Sequence, residues 1–351
     1  MVQAYRADTE NAGTGPRRPG SRLRVLRRRL ATDVGLWRRG ILLALCSVLL
    51  TLVMVFHAEI PNTIGNTGSL VETFLPWFGL LVPVLLALGL LRRSATALIA
   101  LLLPVVVWFN LFGGLLFADK AGTGGDLTVA THNVNAGNPD PAGTAQQVAG
   151  SGADVVALQE LPTGKVAAYE EALAGRYPHH SVQGTVGLWS TYPLTDARPV
   201  DIKLGWTRAM RVTVTTPEGP VAVYVAHLPS VRVKLNAGFT ANQRDKSADA
   251  LGEAIAGERL GRVILLGDLN GTMNDRSLKA VTAQMRSTQG AAGDGFGFSW
   301  PASFPMARID QIMVKGVEPV SSWTLPATDS DHLPIAASVE LPDGDQALPL
   351  P

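Results

Sequence analysis

The chain has 351 residues, with 30 Lys and Arg against 29 Asp and Glu and a formal net charge of +1. Near-neutrality excludes a global field that would gather nucleic acid, so any preference for phosphate has to be local and no nucleic-acid partner is expected. The single cysteine, Cys46, excludes a disulfide framework.

The first forty residues carry nine arginines between Arg17 and Arg39. Three apolar stretches follow, at about 41–58, 73–91 and 95–118. Each is close to the ~20 helical residues needed to cross a hydrocarbon core, so three transmembrane helices are expected. The first stretch alone would also suit a signal peptide. No small-residue cleavage site follows His57, and two more stretches come after it, which favours an uncleaved anchor. The loop 59–72 has no Lys or Arg, whereas Arg92 and Arg93 lie between the second and third stretches. The positive-inside rule then puts residues 1–40 in the cytoplasm and everything after 118 outside the cell membrane. A nucleic-acid-binding arm is the alternative reading of the arginine run, and its place beside an apolar span favours the topogenic one.

Residues 119–126, rich in Gly, read as a short tether reaching at most about 27 Å. From Leu127 the pattern changes to short runs of Val, Ile, Leu and Ala at strand length, at 127–132, 154–158, 221–226, 262–266, 309–314 and 335–339. Several are apolar throughout, which predicts strands covered on both faces in a layered α/β domain over 127–342. Helices are predicted at 144–149, 165–174 and 242–256, the last with Ala248, Leu251 and Ile255 at helical spacing. The tail, 343–351, is rich in Pro and reads as loosely ordered.

Polar residues stand where these strands end. Gly267 permits a tight turn, and strand alternation then presents Asp268 and Asn270 on one side with Leu269 turned to the core. Taken alone, Asp and Asn also make turns. Asn133, Glu160 and His227 occupy equivalent strand-end positions, as do Asp310 and the Asp331-His332 pair. An amide with carboxylates is a hard oxygen ligand set suited to Mg²⁺, with Mn²⁺ as the other ion it fits, and unsuited to zinc. A histidine can stabilise charge on a phosphoryl oxygen when a carboxylate fixes its other nitrogen, and Asp310 is the candidate partner of His332. No such partner is evident for His227. His179-His180 reads as a surface loop and Trp300-Pro301 as a pocket wall or packed aromatic. Arg208, Arg211 and Arg244 are candidate phosphate contacts whose ordinary reading is a solvated or salt-bridged position.

The ordered set of Asn133, Gln159-Glu160, His227, Gly-Asp-Leu-Asn at 267–270, Arg-Ile-Asp at 308–310 and Ser-Asp-His at 330–332 resembles the endonuclease/exonuclease/phosphatase superfamily over about 127–341. The resemblance implies a four-layer α/β sandwich with two central sheets and a metal at the strand ends. It implies Asn133, Glu160 and Asp331 as Mg²⁺ ligands, Asp268 as the group that orients or deprotonates the attacking water, and Asn270 as phosphate- or water-binding. It further implies His227 and His332 on the scissile phosphate, with Asp310 orienting His332. A basic residue is common in that family where Thr191 stands, so its phosphate contact is not expected here.

Three spans, an external domain and the Phe-Ser-Trp-Pro run at 298–301 also resemble the VanJ-type membrane proteins of actinomycetes. That resemblance implies dephosphorylation of undecaprenyl diphosphate and a part in glycopeptide (teicoplanin) resistance, so a lipid-linked phosphate and the membrane are the expected partners. Nothing in the sequence designates a protein partner. An extracellular nuclease or phospholipid phosphodiesterase is the alternative enzyme, and a catalytically silent binder of an envelope ligand is the alternative of another class.

Overall fold

The computed structural model describes residues 39–63, 65–117, 120–231 and 238–342. Nearly all of the arginine-rich segment 1–40 and the tail 343–351 lie outside the described residues.

Helix α1 (Ile41–Val55) is followed by α2 (Thr67–Thr73), a 3-10 turn (Leu75–Leu80), α3 (Leu81–Leu91), α4 (Ala95–Ala100) and α5 (Leu102–Leu116). Of the three predicted spans the structure shows one outright, and two if a bent helix pair counts as one span. Among the described residues, one helix, Ala95–Leu116, is long and apolar enough to cross a membrane. The first stretch is helical for 15 residues, about 22 Å at 1.5 Å each. The second coincides with Leu75–Leu91, which meets the preceding helix Thr67–Thr73 at 70° and reaches spanning length only together with it. Pro76 supplies the reason, because it has no N–H to donate and disfavours helical geometry at Leu75. Every exposed large apolar side chain of the described residues, except Trp206 and Phe304, belongs to this region.

The predicted tether is not free. Gly122 N–H donates to Val320 O at 2.6 Å, Ser338 Oγ to Gly124 O at 2.6 Å and Asp126 N–H to Val339 O at 2.8 Å. Residues 122–126 therefore lie against two strands of a sheet.

Two six-stranded sheets follow. The first has the order β11–β12–β1–β2–β4–β3, built from β1 (Leu127–Asn133), β2 (Val155–Gln159), β3 (His179–Gln183), β4 (Val186–Ser190), β11 (Glu318–Thr324) and β12 (Ile335–Glu340). The second has the order β5–β6–β7–β8–β10–β9, from β5 (Leu194–Pro199), β6 (Ala209–Thr216), β7 (Gly219–His227), β8 (Val263–Asp268), β9 (Arg286–Ser287) and β10 (Asp310–Lys315). Pairs β1–β2 and β7–β8 are parallel; the other neighbours are antiparallel.

Strand periodicity explains the layering. Leu127, Val129, Val155 and Ala157 face Val223, Val225, Ile264 and Leu266 across the space between the sheets. The alternate residues Ala130, Val156 and Leu158 pack under α6 (Pro141–Ala149) and α7 (Val166–Ala174). Val263 and Leu265 pack under α8 (Gly238–Ala256) through Ala248, Leu251 and Ile255. The result is helix, sheet, sheet, helix, as the sequence pattern predicts. The six predicted strands and three predicted helices are all present, with ends shifted by at most four residues. Helix α6 starts earlier than predicted because Asp140 accepts from Gly143 N–H at 2.9 Å and Pro141 takes the first turn.

Candidate active site

Register places the polar strand ends together. Asn133 pairs with Gln159, His227 with Asp268, and Asp310 with Asp268. One end of both sheets thus collects Asn133, Glu160, His227, Asp268, Asp310 and His332. Gly267 makes the approach of β7 and β8 possible. Its φ is +146°, and an added Cβ would stand 2.9 Å from the carbonyl carbon of Ala226 and nearer still to its oxygen.

Asp268 is 1% exposed and is the hub. Its Oδ2 accepts from Asn133 Nδ2 at 3.0 Å and Asn270 Nδ2 at 3.2 Å, and its Oδ1 accepts from Asn270 N–H at 2.9 Å. The imidazoles of His227 and His332 lie 3.6 and 3.8 Å away. Burial pushes the Asp268 carboxyl above its ordinary pKa, the His332 charge opposing and Asp310 reinforcing. A carboxylate whose proton affinity is raised is suited to taking a proton from water.

His332 Nδ1 meets Asp310 Oδ2 at 2.9 Å, as the sequence predicts, and Ser299 Oγ donates to the same oxygen at 2.6 Å. Burial works against a charged His332, but the Asp310 and Asp268 carboxylates outweigh it and raise its pKa. Burial likewise opposes charge on Asp310, yet His332 and Ser299 hold its pKa below the ordinary carboxylate value. The pair is therefore imidazolium and carboxylate, with Nε2–H free to face the cleft.

His227 does have carboxylate neighbours: Glu160 Oε1 and Asp268 Oδ2 are each 3.6 Å from Nε2. It also has a cation, because the Arg208 guanidinium lies against its ring. Burial, then the charge of Arg208, lowers the His227 pKa well below the ordinary value, so this imidazole is neutral.

Glu160 and Asn270 both hold left-handed backbone, at φ 61° and 47°. For Glu160 that conformation costs of order 1 kcal/mol, and it turns the carboxylate toward Asn133, whose Nδ2 donates to Oε1 at 3.2 Å.

Asp331 is exposed at the rim and joins the group through Asn135, whose Nδ2 donates to Asp331 Oδ1 at 2.8 Å and whose N–H donates to Asn133 Oδ1 at 3.0 Å. Asn133 Oδ1, the atom expected on the metal, thus has one of its two lone pairs engaged.

The donor set fits a hard divalent cation. Glu160 Oε1 and Asp268 Oδ2 converge within 3.2 Å of one amide nitrogen and 3.6 Å of one imidazole nitrogen. Their carboxylates, with the amide oxygen of Asn133 and the rim carboxylate of Asp331, are the hard oxygen donors such a cation takes. Asp268, Asp310 and His332 form a second group with ligand atoms within 4.8 Å of one another. In it His332 Nδ1 is already engaged by Asp310 at 2.9 Å.

The cleft over these residues has a volume of about 730 Å³. Trp300 is a wall, as one of its two sequence readings has it, and Leu70 and Phe74 from the bent helix pair form another. Of the arginines, Arg208 reaches the cleft, with its guanidinium 5.1 Å from the centre of the Trp206 ring. Arg211 is paired with Glu258, and Arg244 with Asp275 at 2.7 Å and Asn270 O at 2.8 Å. His179-His180 is an edge strand and not a loop, with His180 3.3 Å from Glu170. Thr191 lies at the far end of its sheet, since β4 runs antiparallel to β2 and Ser190 pairs with Val155. Arg208, Ser299 and Asn135 are the site residues that sequence reasoning missed or left in the background. Arg208 sits one residue before β6, so the strand-edge rule that found the others applies to it too.

Carboxylates gathered at one sheet edge, a charged histidine and a cleft-facing arginine define a site for metal-assisted hydrolysis of phosphoric esters or anhydrides. The chain belongs to the endonuclease/exonuclease/phosphatase family, whose model matches residues 130–332. It is accordingly a metal-dependent hydrolase of that kind. No curated protein matches the chain.

Among solved structures it is similar to a family protein from Bacteroides thetaiotaomicron, with a TM-score of 0.53, 17% identity, and coverage of 64% of this chain and 98% of that one. It is also similar to a beta toxin of Staphylococcus aureus, at 0.51, 14% identity, 60% and 99% coverage. A mannosyl-6-phosphatase of Bacteroides thetaiotaomicron gives 0.50, 18% identity, 61% and 99%. These likenesses show the fold.

Proposed function

We propose that the chain is a membrane-anchored, Mg²⁺-dependent phosphatase with its catalytic domain outside the cell, removing phosphate from a polyprenyl diphosphate such as undecaprenyl diphosphate. The observation that carries the reading is the composition of the cleft. Its floor is Glu160, His227, Asp268 and His332, while Leu70 and Phe74 reach its wall from a helical region whose apolar side chains are exposed. A soluble domain would bury such side chains, and a bilayer would cover them. The arginine placement in the sequence supports the orientation, and the VanJ-type resemblance supports the lipid and a contribution to teicoplanin resistance.

Asn133, Glu160 and Asp331 would hold Mg²⁺, which supplies charge neutralisation on phosphoryl oxygens when bound. Asp268, held by Asn133 and Asn270, orients water and takes its proton. His332, charged and fixed by Asp310, donates Nε2–H to an oxygen of the transferred phosphoryl group. Arg208 adds positive charge at the same mouth, and neutral His227 donates or accepts a hydrogen bond there.

The test is release of inorganic phosphate by full-length protein in detergent with Mg²⁺, comparing polyprenyl diphosphate, duplex DNA and phospholipid. The reading expects release from the diphosphate and at least a thousandfold loss in Asp268→Asn, the scale of a removed general base together with lost water orientation. Cleavage of DNA without phosphate release would overturn it in favour of a nuclease, and a soluble phosphorylated headgroup as product would point to a phosphodiesterase.

A further inference from the structure

The run Phe298-Ser299-Trp300 faces three places in succession. Trp300 lines the catalytic cleft, and Ser299 holds Asp310. Phe298 lines a separate groove of about 400 Å³, between the 3-10 turn Leu75–Leu80 and α5. Trp77, Val82, Val105, Trp108 and Phe296 complete its principal walls. Both indole N–H groups are spent on backbone, Trp77 on Met306 O and Trp108 on Pro76 O, each at 2.8 Å. The groove therefore presents hydrocarbon and ring faces. Phe296 and Phe298 stack at 5.0 Å, and Trp77 stacks on Phe298 at 5.8 Å. On the other strand of the connection, Phe74 borders the cleft and Pro76, two residues on, borders the groove.

We infer that this groove binds the hydrocarbon tail of a phosphorylated lipid whose headgroup occupies the catalytic cleft. The inference rests on the phosphatase reading above and adds a tail subsite to it. The volume lies in the range of small-molecule sites, and such sites are lined mainly by apolar and aromatic side chains. A nucleotide or sugar phosphate has no apolar part to place there. A lipid does, and the two segments that reach from cleft to groove each do so within two residues. The shared chemistry is a long apolar chain on a phosphate or diphosphate, from either an isoprenoid or an acyl lipid.

The experiment uses full-length protein in detergent with Mg²⁺ and the variant Val105→Phe, which fills the groove from a half-exposed position. Farnesyl diphosphate and dimethylallyl diphosphate share a headgroup and differ in tail length, and a diacylglycerol diphosphate supplies the acyl arm. The variant should raise KM about tenfold for whichever long-tailed substrate is turned over, equivalent to losing roughly two buried methylene contacts. Turnover of dimethylallyl diphosphate should stay within about twofold, which also shows that the variant folds.

A readout independent of turnover is cross-linking by a non-hydrolysable farnesyl diphosphonate carrying a diazirine at its tail. Adducts on the peptides holding Trp77, Trp108 or Phe298 support the subsite, and adducts confined to other segments overturn it. An unchanged KM for every long-tailed substrate overturns it as well. Adducts in the groove with no phosphate release from any lipid would sink the phosphatase reading and leave the tail subsite standing.

Discussion

Replacing Gly267 by alanine adds one methyl group at the tightest point between the two central parallel strands of the second sheet. The Cβ would stand 2.9 Å from the carbonyl carbon of Ala226 and 3.1 Å from its nitrogen, and closest of all to its oxygen. All three atoms are backbone, so no side chain can swing away. An ordinary contact of about 3.4 Å to that oxygen requires β7 and β8 to part by more than about an ångström at this pair, given close-packed surroundings. The φ of +146° adds a conformational cost of about 1–3 kcal/mol for a residue with a Cβ.

Ala226 and Gly267 are the pair immediately before His227 and Asp268, so the parting is transmitted to the catalytic groups. A displacement near 1 Å lowers turnover by about a hundredfold. The expected result is a kcat down about a hundredfold together with a fall in thermal midpoint of several degrees, followed by phosphate release and near-ultraviolet circular dichroism. Gly164→Ala is the control, since nothing lies within 4 Å of its added Cβ. A Gly267→Ala enzyme with wild-type kcat and an unmoved midpoint would refute the reasoning.

Arg208→Ala should lower kcat about a hundredfold with a smaller change in KM, because the guanidinium at the cleft mouth serves charge that develops during reaction. Steady-state kinetics on the lipid diphosphate check this, and equal loss from Trp206→Ala would show instead that the ring, not the charge, matters. Chelation by EDTA should abolish turnover and added Mg²⁺ restore it, with Glu160→Gln shifting the Mg²⁺ titration to concentrations about tenfold higher or more; an unshifted titration would remove Glu160 from the ligand set.

Glu258 governs acid stability. Burial opposes its charge, but hydrogen bonds from Arg211, Leu260 N–H and Tyr224 outweigh that and lower its pKa from 4.5 to about 2. On acidification the unfolded chain takes up this proton first, so the stabilisation is complete above pH 4.5 and lost as pH falls through about 2. It amounts to at most about 3 kcal/mol. Denaturant unfolding at a series of pH values should show a shallower acid limb in Glu258→Gln, and an identical limb would show that the pair contributes nothing.

Strand ends were legible from residue type alone because a continuous apolar run that stops at Asp, Asn, Glu or His marks where the chain leaves the core. Asn133, Glu160, His227, Asp268, Asp310 and His332 converge for that reason. The Asp310–His332 pairing was legible too, through the need of a buried imidazole for a fixed tautomer. Arg208 was legible only as one of three candidate phosphate contacts, because β6 was not among the predicted strands and its antiparallel pairing with β7, which brings Arg208 to the site end, is not encoded in composition. Asn135 was not legible, because its bridging of Asn133 to Asp331 is a matter of loop geometry. Hydropathy reads 73–91 as a span of its own and gives no sign of the 70° bend at Phe74 against the helix Thr67–Thr73 before it. That turn is what brings Phe74 to the cleft.

The pinning of residues 122–126 against β11 and β12 bears on how such an enzyme would meet its substrate. A catalytic domain on a loose string samples a hemisphere and responds to bulk concentration. With the start of the domain so pinned, and with Arg276 donating to Ala58 O and Ile60 O, Trp77 to Met306 O and Gly295 N–H to Leu115 O, the domain has its height and tilt set relative to the helices before it. In the proposed membrane setting, substrate would arrive by lateral diffusion in the bilayer plane. Rate would then follow the mole fraction of lipid in the surface and stay level when inert lipid and substrate are increased together.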